Sequence, residues 1–228
     1  MMRSSIAGVF LGLFVSTPTH AIGNLTALLN VQEECAQVGE ISFGEHQRWA
    51  ECAVTRGRWM ATIDIIDMYQ AQYCLGSGQD GICDKRALMV FGNRAYTPLA
   101  NLLLQRIDPG DTEYDDPLVV KNDAGRFLTI SARFHDGTKN SRYYVWQAGQ
   151  WVPIDSQAWL IDLKKQLPAG ITAKNDSVFD VDTLSSKANL YRKRDPEGSP
   201  SIGVAQVELR LSKNRFSVKK IRIEKIAK

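Results

Sequence analysis

The stretch that decides the fold is "GRWMATIDIIDMYQAQYC", Gly57 to Cys74, which combines aromatic and branched apolar residues with two aspartates. On a helical wheel its large apolar side chains cover more than half of the circumference: Trp59, Ile63, Ile65, Ile66, Tyr69 and Tyr73. An apolar arc this wide is typical of a helix that is buried on most sides. The pattern therefore predicts that this stretch is the central helix of a helical N-terminal half.

The two aspartates of this stretch, Asp64 and Asp67, are the first candidates for catalysis. Residues three apart on a helix bring their Cβ atoms to about 5–6 Å, a spacing that resembles the carboxylate pair of a retaining glycosidase. The same strip of the wheel carries Arg56 and Cys74, which favours a polar seam beside a disulfide. Outside this stretch the helical half adds two more candidate carboxylates, Glu45 and Glu51.

Four further helix starts lie around this stretch, each in a capping pattern that is typical of helix N-termini: Asn24, Ser42, Asp84, and Thr97 followed by Pro98. Together they predict a helical region over residues 22–107. The segment "DPGDTEYDDP", residues 108–117, is acidic and rich in turn residues, which predicts a connector. Its carboxylates suit Ca²⁺, but the EF-hand spacing is missing, so we predict no metal site.

The second half, residues 118–228, changes to the alternating pattern of strands. "RFLTISARF" predicts one strand, and "RYYVWQAGQWVPI" predicts a hairpin that pairs Trp146 with Trp151 around an Ala-Gly turn. "SQAWLIDLKKQL" predicts a short helix, and a last hairpin turns at Lys213 and Asn214 with a bulge near Lys219. The predicted fold class is α+β: a disulfide-stapled helical half, followed by an antiparallel sheet half with one packed helix.

The N-terminus and the cysteines indicate export. Residues 1–21 have the short apolar run and the small residues before Ala21 that are typical of a cleaved signal peptide. No later segment reaches the roughly 20 apolar residues of a membrane span. An even number of cysteines in an exported chain predicts disulfides, and short loops favour pairing Cys35 with Cys52 and Cys74 with Cys83. Zinc is the alternative, but the sequence contains no C-x-x-C. We therefore expect a periplasmic or secreted protein.

The charges of the two halves are opposite. Residues 22–117 contain 7 Lys and Arg against 14 Asp and Glu, whereas residues 118–228 contain 20 against 11. In the basic half, alternation predicts a cationic stripe on the last hairpin, at Arg210, Arg215 and Arg222, which suits an anionic envelope partner. Edge-strand lysines that prevent aggregation are the alternative explanation. Nucleic acid is not expected as a partner in this compartment.

Aromatic residues of the predicted hairpin form a second candidate binding surface, at Tyr144, Trp146 and Trp151. Such residues can stack on sugars or peptides, although cross-strand aromatics more often cover a core. No glycine-rich phosphate loop is present, and we predict no cofactor.

The C-terminal region resembles uncharacterised exported proteins of Gram-negative bacteria. The resemblance rests on "WVPIDSQAWLIDL", "LPAG", "LYR" and "VELRLSKNRFSVKKIRI", between Tyr143 and Ile223. Where those proteins carry a Cys-Cys-Pro turn before the last hairpin, this chain has "DPEGSP". The resemblance implies an envelope protein and assigns no reaction.

Two functional hypotheses follow. The first is a non-enzymatic binding protein of the cell envelope, comparable to inhibitors and immunity proteins, with a protein or anionic partner. The second is an envelope hydrolase that acts on cell-wall material through the paired carboxylates named above.

Overall fold

The chain forms three antiparallel sheets and one helix within residues 52–77, 83–94, 101–174, 179–196 and 198–225, which the computed structural model describes. Sheet A is a four-stranded meander of β1 (Cys52–Ile63), β2 (Ile66–Ser77), β3 (Cys83–Arg94) and β4 (Asn101–Pro109). Sheet B contains β5 (Glu113–Tyr114), β6 (Leu118–Asn122), β7 (Gly125–Arg133), β8 (Lys139–Gln147) and β9 (Gln150–Ile154). Helix α1 (Ala158–Gln166) follows. Sheet C contains β10 (Ile171–Lys174), β11 (Phe179–Asp180), β12 (Ser185–Arg192), β13 (Gly203–Ser212) and β14 (Arg215–Lys225).

The predicted helical half is wrong wherever the structure describes it, because every regular element of residues 52–107 is a strand. The deciding stretch is the β1–β2 hairpin, in which Ile63 pairs with Ile66 across a turn formed by Asp64 and Ile65. Asp64 has a φ of 56°, the left-handed conformation that such tight hairpin turns require. The fold is therefore mostly β rather than α+β, and residues 22–51 lie outside the described part.

The error has a physical cause in the burial of β2. Residues 68–73 are all buried, whichever face of sheet A they point to. A strand that is covered on both faces loses the polar–apolar alternation that identifies half-buried strands. Strand β3 is covered in the same way over residues 87–92, where a helix was predicted to follow Asp84. Residues 101–109, which form strand β4, include part of the segment that was predicted to be a helix beginning at Thr97.

Sheet B is the middle layer of the molecule. One of its faces packs on sheet A through Leu128, Ile130, Tyr144 and Trp151. Its other face packs on sheet C and helix α1 around a core of large buried side chains: Phe127, Val145, Ile154, Trp159, Leu163, Leu190, Val207 and Phe216. Sheet B is therefore shared by two separate cores.

The second half confirms most of the strand predictions. Trp146 pairs with Trp151 around the Ala148–Gly149 turn, in the predicted register. The predicted helix is α1, and the last hairpin turns at Lys213 and Asn214. Glu208 pairs with Lys220 and Leu209 with Val218, so Lys219 is the extra residue of the predicted bulge.

A buried ion pair in β4 ties sheet A to sheet B. Arg106 is 1% exposed and Asp108 is 8% exposed, and the Arg106 Nε lies 2.5 Å from the Asp108 Oδ2. The Arg106 guanidinium also donates to the backbone oxygens of Ile130 (2.9 Å) and Asn140 (3.2 Å) of sheet B. The Tyr114 hydroxyl donates to the Asp108 Oδ2 at 2.8 Å. Two residues of the predicted acidic connector, Asp108 and Tyr114, thus take part in a buried link between two sheets, whereas Asp111, Glu113 and Asp116 are exposed.

The Cys74–Cys83 disulfide is confirmed, with a Cα–Cα distance of 5.2 Å. It joins β2 to β3 and is compatible with a secreted protein, because disulfides persist in oxidising compartments. The predicted Cys35–Cys52 bond and the predicted signal peptide lie outside the residues whose side chains are described. In the described ranges, no helix has the length and apolar character that crossing a bilayer requires.

Candidate functional site

Sheets B and C pack face to face as a β-sandwich, and backbone hydrogen bonds join the two sheets along one side. At the end of β9, the Asp155 N–H donates to the Asn214 oxygen (2.9 Å) and the Phe216 N–H donates to the Asp155 oxygen (3.1 Å). These bonds connect the edge of sheet B to β14, the edge of sheet C. The Asp155 carboxylate also accepts from the backbone N–H groups of Gln157 and Ala158 at 3.0 Å each, so the same residue orients the start of α1.

On the opposite side of this sandwich, no backbone hydrogen bond joins the two sheets within the described residues. The rims of this side are β6, the outer strand of sheet B, and β11 with the turn that follows it. Asn122 ties the rims together at one point, because its side-chain N–H groups donate to the oxygens of Val181 and Asp182 at 3.0 Å each. Between the rims lies a depression of about 570 Å³, which we call the B–C groove. Its volume is in the range of ligand-binding clefts.

One wall of the B–C groove is a ladder of hydroxyl groups on neighbouring strands. Thr129 pairs with Tyr143, and Ser131 pairs with Ser141, across β7 and β8. The two serine hydroxyls bond each other at 2.8 Å. The Thr129 hydroxyl oxygen is buried and has no hydrogen-bond partner among the described residues. The paired serine hydroxyls keep free acceptor lone pairs, which a polar ligand group in the groove can use.

The two ends of the B–C groove differ in chemistry. At one end the Tyr143 and Phe179 rings meet edge to face with centroids 4.7 Å apart. Asp180 follows, and hydrogen bonds from the Thr183 hydroxyl and from backbone N–H groups lower the pKa of this carboxyl. Lys139 lines the groove farther along β8 and forms a 2.6 Å ion pair with Asp115. The groove can therefore hold a ligand that is partly apolar and partly polar.

The candidate carboxylates of the deciding stretch lie at the β1–β2 turn. The Asp64 carboxylate forms a 2.8 Å ion pair with Arg126, and Asp67 accepts a 2.5 Å hydrogen bond from the Thr62 hydroxyl. Each carboxylate is thus bound by a neighbouring side chain, and neither of them lines the B–C groove. Glu45 and Glu51 lie outside the described residues. Among the residues that the structure describes, no cluster of His, Cys, Asp or Glu is arranged to hold a metal ion.

The aromatic and cationic candidates are divided between the core and the surface. Tyr144 and Trp151 are each 5% exposed and pack between sheets A and B, and the Trp151 ring meets that of half-buried Trp146 edge to face. Arg210 and Arg222 are exposed on the outer face of sheet C. Arg215 is instead paired with Asp162 of α1, at 2.9 and 3.0 Å. All three arginines of the predicted stripe are therefore exposed, and Arg215 has an acidic partner.

Burial of tyrosines gives the structure a testable response to alkali. Burial raises the pKa of Tyr114, Tyr143 and Tyr144, whereas an exposed tyrosine ionises near pH 10. Below about pH 10 all three are neutral in both states, so their contribution to stability is complete there. Above it the unfolded chain loses protons that the folded chain retains, so stability must fall.

We expect that these three tyrosines ionise only as the protein unfolds. An ultraviolet absorbance titration of tyrosinate should show a late, cooperative step, and Tyr143→Phe should reduce its amplitude by one tyrosine. Full and reversible ionisation near pH 10 in a folded protein would contradict the burial of these groups.

Sequence reasoning missed the B–C groove, although alternation along "RFLTISARF" does place Thr129 and Ser131 on one face of their strand. The sequence does not show that β6 lies close to β11 without pairing with it, because no local pattern indicates which strands stay unpaired. In comparisons with known proteins, the chain matches no family model, no curated protein and no solved structure.

Proposed function

We propose that this is a non-enzymatic binding protein of the periplasm or the cell exterior, which holds an extended segment of a partner protein in the B–C groove. The observation that carries the proposal is the edge strand β6, which runs along the groove. It reads Leu-Val-Val-Lys-Asn, and Leu118 is 55% exposed. An edge strand offers unpaired backbone N–H and C=O groups, to which an extended peptide can add as a further strand.

The two outer strands on the closed side of the sandwich carry residues that block pairing with other chains. Strand β9 contains Pro153, and β14 carries Lys219 and Lys220. Proline and lysine are the residues by which natural sheets block pairing with other chains. Lys121 is the only such residue of β6. Within the described residues β6 pairs with β7 alone, and an outer strand with apolar residues beside a groove suits a surface that recruits a strand.

The walls of the groove fit the side chains of an added strand. Residues of a strand alternate in direction, so every second side chain of the ligand would point into the groove. The aromatic end at Tyr143 and Phe179 suits an apolar side chain, and the Ser131 and Ser141 hydroxyls suit a polar one. Specificity would come from these contacts and affinity from the backbone pairing.

The compartment is supported by three observations of different kinds. The Cys74–Cys83 disulfide needs an oxidising environment to persist. Residues 1–21 have the pattern of a signal peptide, and the C-terminal region resembles exported envelope proteins. A protein partner in that compartment is therefore the simplest source of an extended segment.

We expect that peptides selected from a random phage-displayed library against the protein bind less tightly when Leu118 is replaced. Leu118→Asp should weaken binding at least about tenfold, because burying a leucine side chain contributes about 1.5–3 kcal/mol. Ile161→Asp on α1 is the matched control, since Ile161 is 56% exposed and lies outside the groove lining. Affinities would be measured by fluorescence anisotropy with synthetic versions of the selected peptides.

Strand addition predicts a period of two in the peptide. N-methylation of alternate peptide nitrogens should abolish binding at one set of positions and leave it unchanged at the other, because a strand pairs with one neighbour through every second residue. Equal losses in Leu118→Asp and Ile161→Asp would overturn the proposal. Turnover of cell-wall glycan or peptide by the purified protein would favour the hydrolase hypothesis instead.

A further inference from the structure

The outer face of sheet C, which does not line the B–C groove, carries a row of polar side chains across three strands. Lys187 of β12 pairs with Gln206 of β13, which in turn pairs with Arg222 of β14. The neighbouring pair of Ala188 and Ala205 is buried in the core, so alternation points the row to solvent. We call Lys187, Gln206 and Arg222 the cation row.

The two glutamates near the cation row already have ion-pair or hydrogen-bond partners. Glu208 lies 3.7 Å from the Lys220 Nζ and 3.9 Å from the Lys219 Nζ. Glu224 accepts a hydrogen bond from the Gln206 side chain at 3.2 Å. Lys187 and Arg222, by contrast, form no ion pair with any residue that the structure describes. Two exposed cations thus remain available to an external anion.

The spacing of the row sets the shape of its ligand. Neighbouring strands are about 4.8 Å apart, which places the Cα atoms of Lys187 and Arg222 about 10 Å from each other. A depression of about 390 Å³ adjoins the row. Gln206 and Arg222 line it together with Lys220 and with the two glutamates that already have partners, Glu208 and Glu224. Long flexible cations at this separation can reach two successive anionic groups of a chain that crosses the strands.

We propose that the cation row is a binding site for an acidic polymer whose carboxylate or phosphate groups contact Lys187 and Arg222. Charge complementarity carries the choice of ligand: exposed Arg210 on the same face adds positive charge, and the charge of Glu208 is balanced by Lys219 and Lys220. A lipid surface fits less well. Surface-bound proteins insert apolar side chains into the membrane, whereas the three residues of the row are all polar.

The test compares two variants that remove the same charge. Binding to inorganic polyphosphate and to polygalacturonate would be measured at several salt concentrations for the full mature chain. Lys187→Ala/Arg222→Ala should weaken binding about thirtyfold, since each cation near an anionic surface contributes about a factor of five. The slope of affinity against salt should also become shallower, because fewer counterions are released.

The control variant is Lys164→Ala/Lys165→Ala on the exposed side of α1, which should bind both polymers as the unmodified protein does. The two polymers distinguish phosphate from carboxylate as the preferred group. An equal loss in both double variants would show attraction by net charge alone and would overturn the site. Stronger binding to phosphatidylglycerol vesicles than to either polymer, or no polymer binding at all, would overturn it as well.

Discussion

Replacing Gly110 by alanine is expected to destabilise the protein by about 3 kcal/mol or more. Gly110 follows β4 and lies against the start of β3, so that a Cβ atom added to it would be 1.5 Å from the backbone oxygen of Cys83. The Gly110 oxygen also accepts a 3.2 Å hydrogen bond from the Arg86 side chain. Backbone cannot rotate away as a side chain can, so β3 and β4 would have to separate at this end of sheet A. Urea unfolding followed by tryptophan fluorescence would measure the loss.

Two other glycines provide graded controls. A Cβ at Gly92 would meet side-chain atoms only, at 2.6 Å from Leu103 and 2.9 Å from Ile66, so Gly92→Ala should cost less than Gly110→Ala. Gly137 has a φ of 80° and open space around it, so Gly137→Ala should cost only the strain of about 1–2 kcal/mol. If Gly110→Ala were no more destabilising than Gly137→Ala, the close approach of Gly110 to Cys83 would be wrong.

Replacing Arg106 by methionine is expected to cost about 3–5 kcal/mol. The variant leaves the Asp108 carboxylate buried without its cation, and it removes the donors to the backbone oxygens of Ile130 and Asn140. Arg106→Lys is a second test, since one ammonium group cannot reach all four acceptors of the guanidinium, which include the Asn140 Oδ1 at 3.2 Å. The free energy of unfolding would again be read from urea titrations.

The double variant Arg106→Met/Asp108→Leu tests the cause of that loss. A buried ion pair that is replaced as a whole by apolar residues often costs little, so the double variant should be more stable than Arg106→Met alone. The coupling energy of this cycle should then be large. Strictly additive losses would mean that Arg106 acts through packing rather than through its charge.

The strands of the second half were predictable because their signals are local. The hairpins turn at Ala148–Gly149 and at Lys213–Asn214. One face of each flanking strand is more exposed to solvent than the other, so the alternation of polar and apolar residues sets the register. The helical expectation for Gly57–Cys74 arose where those signals fail. β2 is covered on both faces, and its hairpin turn uses Asp64 and Ile65 in place of the Asn-Gly pair that marks such turns.

The candidate site was harder to predict than the strands. Arg210 and Arg222 were correctly placed on a solvent-facing surface by alternation, yet the pairing of Arg215 with Asp162 depends on how α1 lies beside β14. The B–C groove depends on which edges stay apart, and the cation row on the order of three strands in a sheet. Both depend on the sheet topology, which the residue pattern of a single strand does not predict.

The middle position of sheet B has a consequence for cooperativity. Phe127 packs in the core between sheets B and C, whereas Leu128 packs in the core between sheets A and B. Neighbouring residues of β7 therefore belong to different cores. The free energies of the two cores are therefore coupled through one set of backbone hydrogen bonds. Unfolding of sheet A or sheet C would expose one face of sheet B, whereas opening sheet B would disrupt both cores at once, which makes sheet B the least separable unit of the protein.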